Sequence, residues 1–233
     1  MEAMVKKYQQ KFRKVRDEMN RWDELQCRLI SQFRNASSII ERLQVVLAPD
    51  GSTFYTLSYI YIYLNFVLCR MLNFGRRYQV LQDPSNYGAL NCIDGIRDEV
   101  LRKQMESLEI NLLSMKRTME EFHGIVFSIE KIHRDSKQQI KGGSSKPNAK
   151  QLQQRVGVKP SLVDCLDGLL VLYDMHHSEY RLKASVVSAL SALTLKPSAS
   201  DLCALQQLLV DQPNIPKEEV QFIFDIIFAE EIC

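Results

Sequence analysis

The residues Val5, Tyr8, Phe12, Val15, Met19, Trp22, Gln26, Leu29, Phe33, Ala36, Ile40, Leu43 and Leu47 follow one another in steps of three and four. That spacing draws one stripe along a long helix with an effective repeat of 3.5 residues. It is the strongest constraint on the fold, because such a helix must cover its stripe with another element. Gln26 is the polar member of the stripe. Within a seam it would lower stability while fixing register or partner number. The other reading puts Gln26 near solvent with Leu25 covering the gap. The rings at 8, 12, 22 and 33 are bulky for a two-stranded zipper and suit the inside of a bundle.

A second stripe runs through residues 96 to 141. Leu101, Met105, Leu108, Leu112, Met115, Met119, Phe122, Val126 and Ile129 keep the same alternation. His133 takes the next seam position as a bundle-edge residue, and His123 sits off the seam at the surface. Two long helices with matching stripes close on each other as an antiparallel hairpin or pair with a partner. No βαβ alternation occurs, so the chain reads as all-α: a long helical hairpin followed by a C-terminal helical bundle.

Three regions are expected. Residues 1–135 form the heptad-patterned hairpin, interrupted by an aromatic insert at 46–80. Residues 136–159 form a flexible basic linker, with six Lys/Arg, no acid, and helix-interrupting Gly142, Gly143, Ser144, Ser145 and Pro147. Residues 160–233 form the C-terminal helices. The first of these opens at Pro160 or Ser161 and stops before Pro197. Its expected inner face is Leu162, Leu166, Leu169, Tyr173, His176, Tyr180, Ala184, Val187 and Leu190, widened by Val163, Leu170 and Val171 so that it is buried on more than one side. Ser200 or Asp201 is expected to cap a short helix from Leu202 to Val210. Pro216 opens a last helix with Val220, Ile223, Ile226 and Ile227 on one side and Phe222 and Phe224 beside them.

Charge is unevenly spread. Residues 1–47 carry ten Lys/Arg against six Asp/Glu, and residues 157–233 carry five against eleven. Two solvated helical surfaces of opposite sign account for this, and a basic arm on RNA or a ribosomal surface is the sharper reading. The six cysteines are scattered, without a CxxC pair or a histidine at ligand spacing. Neither a zinc site nor a disulfide framework is expected. The start MEAMVKKYQQKFRK lacks the apolar core of a signal peptide, so the expected location is cytoplasmic and nuclear.

The stretch TFYTLSYIYIYLNFVLCRMLNF at 53–74 breaks the pattern. Residues 51–69 are uncharged, nearly the ~20 residues a spanning helix needs. Four tyrosines, Ser58 and Asn65 make it a poor membrane segment. Gln44-Val45 is echoed by Gln79-Val80, and composition shifts abruptly at both edges. Residues 46–80 read first as a retained intron translated in frame, or an equivalent gene-model error; a membrane or hydrophobic docking hairpin and a buried strand are the alternatives.

Catalytic signatures are missing. There is no phosphate loop, no dinucleotide fingerprint, no HExxH and no GxSxG. Asp174 and His177 share a helix face but lack a third ligand. The expectation is a protein that binds other proteins, with no cofactor, no metal and no small-molecule substrate.

The stretch PSLVDCLDGLLVLYDMHHSEYRLKASVVSAL at 160–190, with SDLCALQQL at 200–208, resembles the AIRIM-like family of ribosome maturation factors. Pro160, Ser161, Asp164, Leu166, Leu169, Tyr180, Ser188, Asp201, Leu202, Gln206 and Leu208 carry the match. The resemblance implies a non-enzymatic adaptor that works with an AAA+ ATPase on the large pre-ribosomal subunit and sits beside a second helical protein. Contact with pre-ribosomal RNA would fall to residues 136–159. Trp22, Gln26, Asp164, Tyr173, Tyr180 and Asp201 are the candidate partner contacts. The competing reading is a coiled-coil tether that self-associates through residues 5–47 and 101–129.

Overall fold

A computed structural model describes residues 2–47, 95–142, 148–155, 157–193 and 198–232. The elements are α1 (Glu2–Leu47), α2 (Ile96–Gly142), α3 (Ala149–Gln153), α4 (Leu162–Leu193), α5 (Ala199–Asp211), α6 (Lys217–Ile227) and α7 (Ala229–Ile232). No strand occurs among the described residues, so the all-α expectation holds. Beyond residue 47, the aromatic segment expected to be an insert, with its candidate span 51–69, lies outside the described residues. No helix among the described residues is long and apolar enough to cross a membrane.

The chain divides into two compact units that do not follow its linear order. The first takes Met1–Ile30, Lys116–Val186 and Leu208–Cys233, and the second takes Ser31–Met115 and Val187–Gln207. Residues of the expected hairpin and of the expected C-terminal region therefore share one core.

In the first unit α1 and α2 run antiparallel. Tyr8 donates to the Ser136 carbonyl at 2.8 Å, Ser128 donates to Glu18 at 2.7 Å, and Arg28 pairs with Glu121 at 2.6 Å. The heptad stripe of α1 explains this arrangement. Tyr8, Phe12, Val15, Trp22 and Leu29 are all but fully buried, and α2 answers with Met119, Phe122, Val126 and Ile129. Each large buried side chain of this kind contributes roughly 1.5–3 kcal/mol. The hydroxyl of Tyr8 reaches a carbonyl because a buried polar atom without a partner is costly.

The end of the chain packs on the start. Gln9 donates to the Ile227 carbonyl at 3.0 Å. Phe12 meets Phe224 edge to face at 5.9 Å. Lys159 pairs with Glu2 and lies 3.6 Å from Glu230. Gly168 of α4 is a point of close approach. A Cβ there would lie 3.1 Å from Ile223 and 3.2 Å from Phe12.

In the second unit Phe33, Ala36, Ile40 and Leu43 of α1 are buried, as are Leu108 and Met115 of α2 and Leu202 of α5. Gln32 donates to Ser114 at 2.8 Å.

Four local expectations are corrected. Of residues 136–159, expected as a linker, 136–142 belong to α2 and 149–153 form α3. A capping box at Asn148 and Gln151 starts α3. Asp201 is not the cap of α5. Ser198 caps it, accepting from the Asp201 amide while Asp201 accepts from the Ser198 amide. The same reciprocal box, Ser161 with Asp164, opens α4 one residue past Ser161. Phe222 does not join the inner side of α6, where Val220, Phe224 and Ile227 are buried, but stands 62% exposed.

Candidate partner-docking face

The seam of α4 decides what this helix shows to the outside. Within the first unit Leu162, Cys165, Leu169, Leu172, His176, Glu179, Lys183 and Val186 are buried. They repeat in strict alternating steps, so α4 has a heptad seam like that of α1. The expected face is corrected by one residue at several points: Cys165 replaces Leu166, Leu172 replaces Tyr173, Glu179 replaces Tyr180, Lys183 replaces Ala184, and Val186 replaces Val187. The physical reason is the pair Glu179 and Lys183. Hydropathy assigns charged residues to the surface, whereas here each charge meets its partner inside.

Lys183 Nζ donates to Gln26 Oε1 at 2.7 Å and lies 3.0 Å from Glu179 Oε1. That second contact is a buried ion pair at hydrogen-bonding distance. The other oxygen of Glu179 accepts from the Asn214 amide at 3.2 Å and from its side chain at 3.1 Å. Gln26 donates onward to the Leu209 carbonyl. The ammonium also lies 5.7 Å from the ring centres of both Trp22 and Phe122, where the ring faces attract a cation. Burial pushes the Lys183 pKa down, and Glu179 opposes that shift.

Beside it His176 donates from Nδ1 to the Leu172 carbonyl at 2.7 Å and meets Trp22 edge to face at 5.0 Å. Burial lowers its pKa despite that bond, which favours the neutral ring. Trp22 Nε1 donates to Gln212 Oε1 at 2.8 Å. Gln212 holds φ at +45°, a left-handed conformation that is uncommon outside glycine. The tryptophan bond thus steadies the turn between α5 and α6.

With that seam inside, Tyr173, His177 and Tyr180 turn outward beside α2. Tyr173 and His177 stack at 5.5 Å with planes 12° apart. Tyr180 meets His123 of α2 at 5.5 Å. Glu130 of α2 raises the Tyr173 pKa, after burial as the larger cause. A two-turn step on α2, from His123 to Glu130, thus matches a two-turn step on α4, from Tyr180 to Tyr173. Phe127 falls between them on α2 and is 52% exposed. One turn beyond Tyr173 on α4, Leu170, expected to widen the inner face, is exposed instead, because the buried seam runs through Leu169 and Leu172. His123, Phe127, Tyr173, His177 and Tyr180 make an aromatic strip across two helices. Half-buried rings with wet edges are enriched where proteins bind each other.

The candidate contacts read from the sequence separate into groups. Tyr173 and Tyr180 lie on this strip. Trp22 and Gln26 lie beneath it, in the core, which rules out the solvent-side reading of Gln26. Asp164 is half-buried in its cap. Burial opposes its ionisation, but the Ser161 amide and hydroxyl and the Arg155 guanidinium at 2.9 Å outweigh that and hold its carboxyl low. Asp201 is exposed on α5 in the second unit. The sequence reading missed Phe127, although an apolar residue one turn after His123 and off the seam was the available signal. It also missed Glu179 and Lys183, for which hydropathy carries no signal.

Among the described residues no group of three or more His, Cys, Asp and Glu could hold a metal ion. Cys27, Cys165 and Cys203 are free thiols. Burial pushes Cys165 up to about 12, which keeps it protonated and inert.

Comparison with known proteins identifies the group. No curated protein matches the chain. A family model described as Ribosome biogenesis protein C1orf109-like matches residues 2–54 and 65–232. The matched ranges include every described helix. Residues 55–64, in the middle of the aromatic segment, fall between them, while 46–54 and 65–80 are matched. The chain belongs to this family of ribosome biogenesis proteins.

Proposed function

We propose that the chain is a non-enzymatic adaptor in large ribosomal subunit maturation, joining an AAA+ ATPase complex through a helical co-subunit. Membership of a ribosome biogenesis family supports the process. The aromatic strip of α2 and α4 is the observation that carries the adaptor role. It offers Phe127, Tyr173, His177 and Tyr180 on two packed helices, and the outward face of α4 is set where the buried Glu179 and Lys183 meet Asn214, Gln26 and the Phe122 ring. A partner helix laid across such a strip buries rings whose conformations are already set, which limits the entropy lost on binding. The reading places the protein in nucleus and cytoplasm, and gives the basic stretch 136–159 a place against pre-ribosomal RNA.

The tether reading has less support, since the stripe of α1 and much of that of α2 are already buried within the chain's own cores. A test is purification of the tagged full chain from its own cells, as wild type and as Tyr173→Ser/Tyr180→Ser, with mass spectrometry of what accompanies each. The expected result is an AAA+ ATPase and large-subunit precursor proteins with the wild type. The folded double variant, checked by circular dichroism, is expected to lose the ATPase. Recovery of further copies of the chain alone would replace the adaptor with the tether.

A further inference from the structure

The C-terminal helices meet α1 through a repeated pairing. The Arg16 guanidinium lies 4.5 Å from the Phe224 ring centre and 5.1 Å from that of Phe228, and Arg13 lies 5.6 Å from Phe228. Phenylalanine rings on an acidic segment are thus covered by arginines of a basic helix. Guanidinium suits this role because it is planar, weakly hydrated and always charged.

The opposite side of α6 repeats the chemistry without a cover. Phe222 is 62% exposed, more than any other large hydrophobic residue of the described chain. Glu218 lies one turn before it and Asp225 about one turn after, both exposed, on the same outward face. Asp225 is held toward the surface by a bond from Gln221 at 2.7 Å. The inward residues Val220, Phe224 and Ile227 anchor the helix, so folding gives no reason for a phenylalanine on the far side.

We propose that this outward face of α6 docks an arginine-bearing helix of another protein, with a guanidinium stacked on Phe222 and further cations facing Glu218 and Asp225. A second copy of this chain is the weaker occupant, because its own Arg13 and Arg16 are already engaged on Phe224 and Phe228. The surface lies on α6, apart from the α2 and α4 strip, and it stands whether or not the adaptor reading does.

The test is photocrosslinking in living cells with p-benzoylphenylalanine at position 222 of the full chain, followed by sequencing of the crosslinked peptide. The expected adduct is a protein segment with several Lys/Arg interleaved with apolar residues at helical spacing. Its yield should fall by about tenfold in the Glu218→Lys/Asp225→Lys background, where like charges face each other. An adduct to RNA, to this chain, or to a segment without such cations overturns the proposal, as does the absence of an adduct. The crosslinker at Gln221, the adjacent exposed position, provides the same reading if that at 222 disturbs the helix. A parallel crosslinker at Tyr180 reports on the adaptor strip alone, so either surface can fail without the other.

Discussion

α1 and α4 both bury a heptad seam in the first unit, but they bury different chemistry. In α1 the seam is a row of rings and aliphatic side chains with one amide, Gln26. In α4 the ends of the seam are apolar, Leu162 to Leu172 and then Val186, while His176, Glu179 and Lys183 fill its middle. The two polar stretches answer each other, since Gln26 accepts from Lys183. Apolar seams tolerate small shifts in register, because dispersion has little direction. The buried polar stretch tolerates fewer: Glu179 and Lys183 share one helix and move together, but a shift parts them from Gln26 and Asn214 while their desolvation cost remains. The α1 seam therefore supplies most of the burial, and the α4 seam fixes which face of α4 looks outward.

The sharpest way to break this comparison is Lys183→Met. It leaves Glu179 buried with its charge unanswered, which should cost about 3–5 kcal/mol, read by urea unfolding. Adding Glu179→Leu should recover much of that loss. A cost below about 1 kcal/mol for the single change, the size of an exposed pair, would mean that charge does not hold the α4 seam.

Gly168→Ala probes the packing between the two seams. Alanine gains up to about 1 kcal/mol of helix propensity. The new methyl would lie 3.1–3.2 Å from Ile223 and Phe12, and overpacking costs about 1–3 kcal/mol. Phe12 is fully buried and cannot retreat, so a net loss of about 1 kcal/mol is expected. A gain in stability would show that the first unit can give way there.

Ser161→Ala removes one half of the cap that starts α4 and should cost about 1 kcal/mol, seen as a lowered Tm. The same change at Ser198 tests α5, and a cost much above that of Ser161→Ala would contradict its exposed setting.

The His176 effect appears only in acid. Its folded pKa lies below the unfolded value, so the unfolded chain binds the extra proton first. Stability is then complete above about pH 6.5 and falls as pH drops below it. His176→Gln should flatten that slope while leaving stability near pH 8 little changed. An unaltered slope would assign the acid sensitivity to other groups.

Much of this fold was legible without coordinates. The α1 stripe from Val5 to Leu43 is buried almost as spaced, and the bounds of α2, α4 and α6 lie within a few residues of those expected from proline, glycine and heptad signals. Long apolar periodicity is a repeated signal, and errors at single positions average out. The candidate strip was only partly legible. Tyr173 and Tyr180 stood out as aromatic residues of a helix, yet the pattern placed them on its inner face. Phe127, on another helix, had no sequence link to them.

The sequence by itself determined that the chain is helical, where its long helices run, that α1 must be covered, and that the C-terminal third matches a ribosome maturation family. The tertiary structure alone decided the rotation of α4. Glu179 and Lys183 are polar by any scale read along the chain. They become core residues only when Gln26, Asn214 and the Trp22 and Phe122 rings arrive from distant parts of the sequence to replace the water they lose.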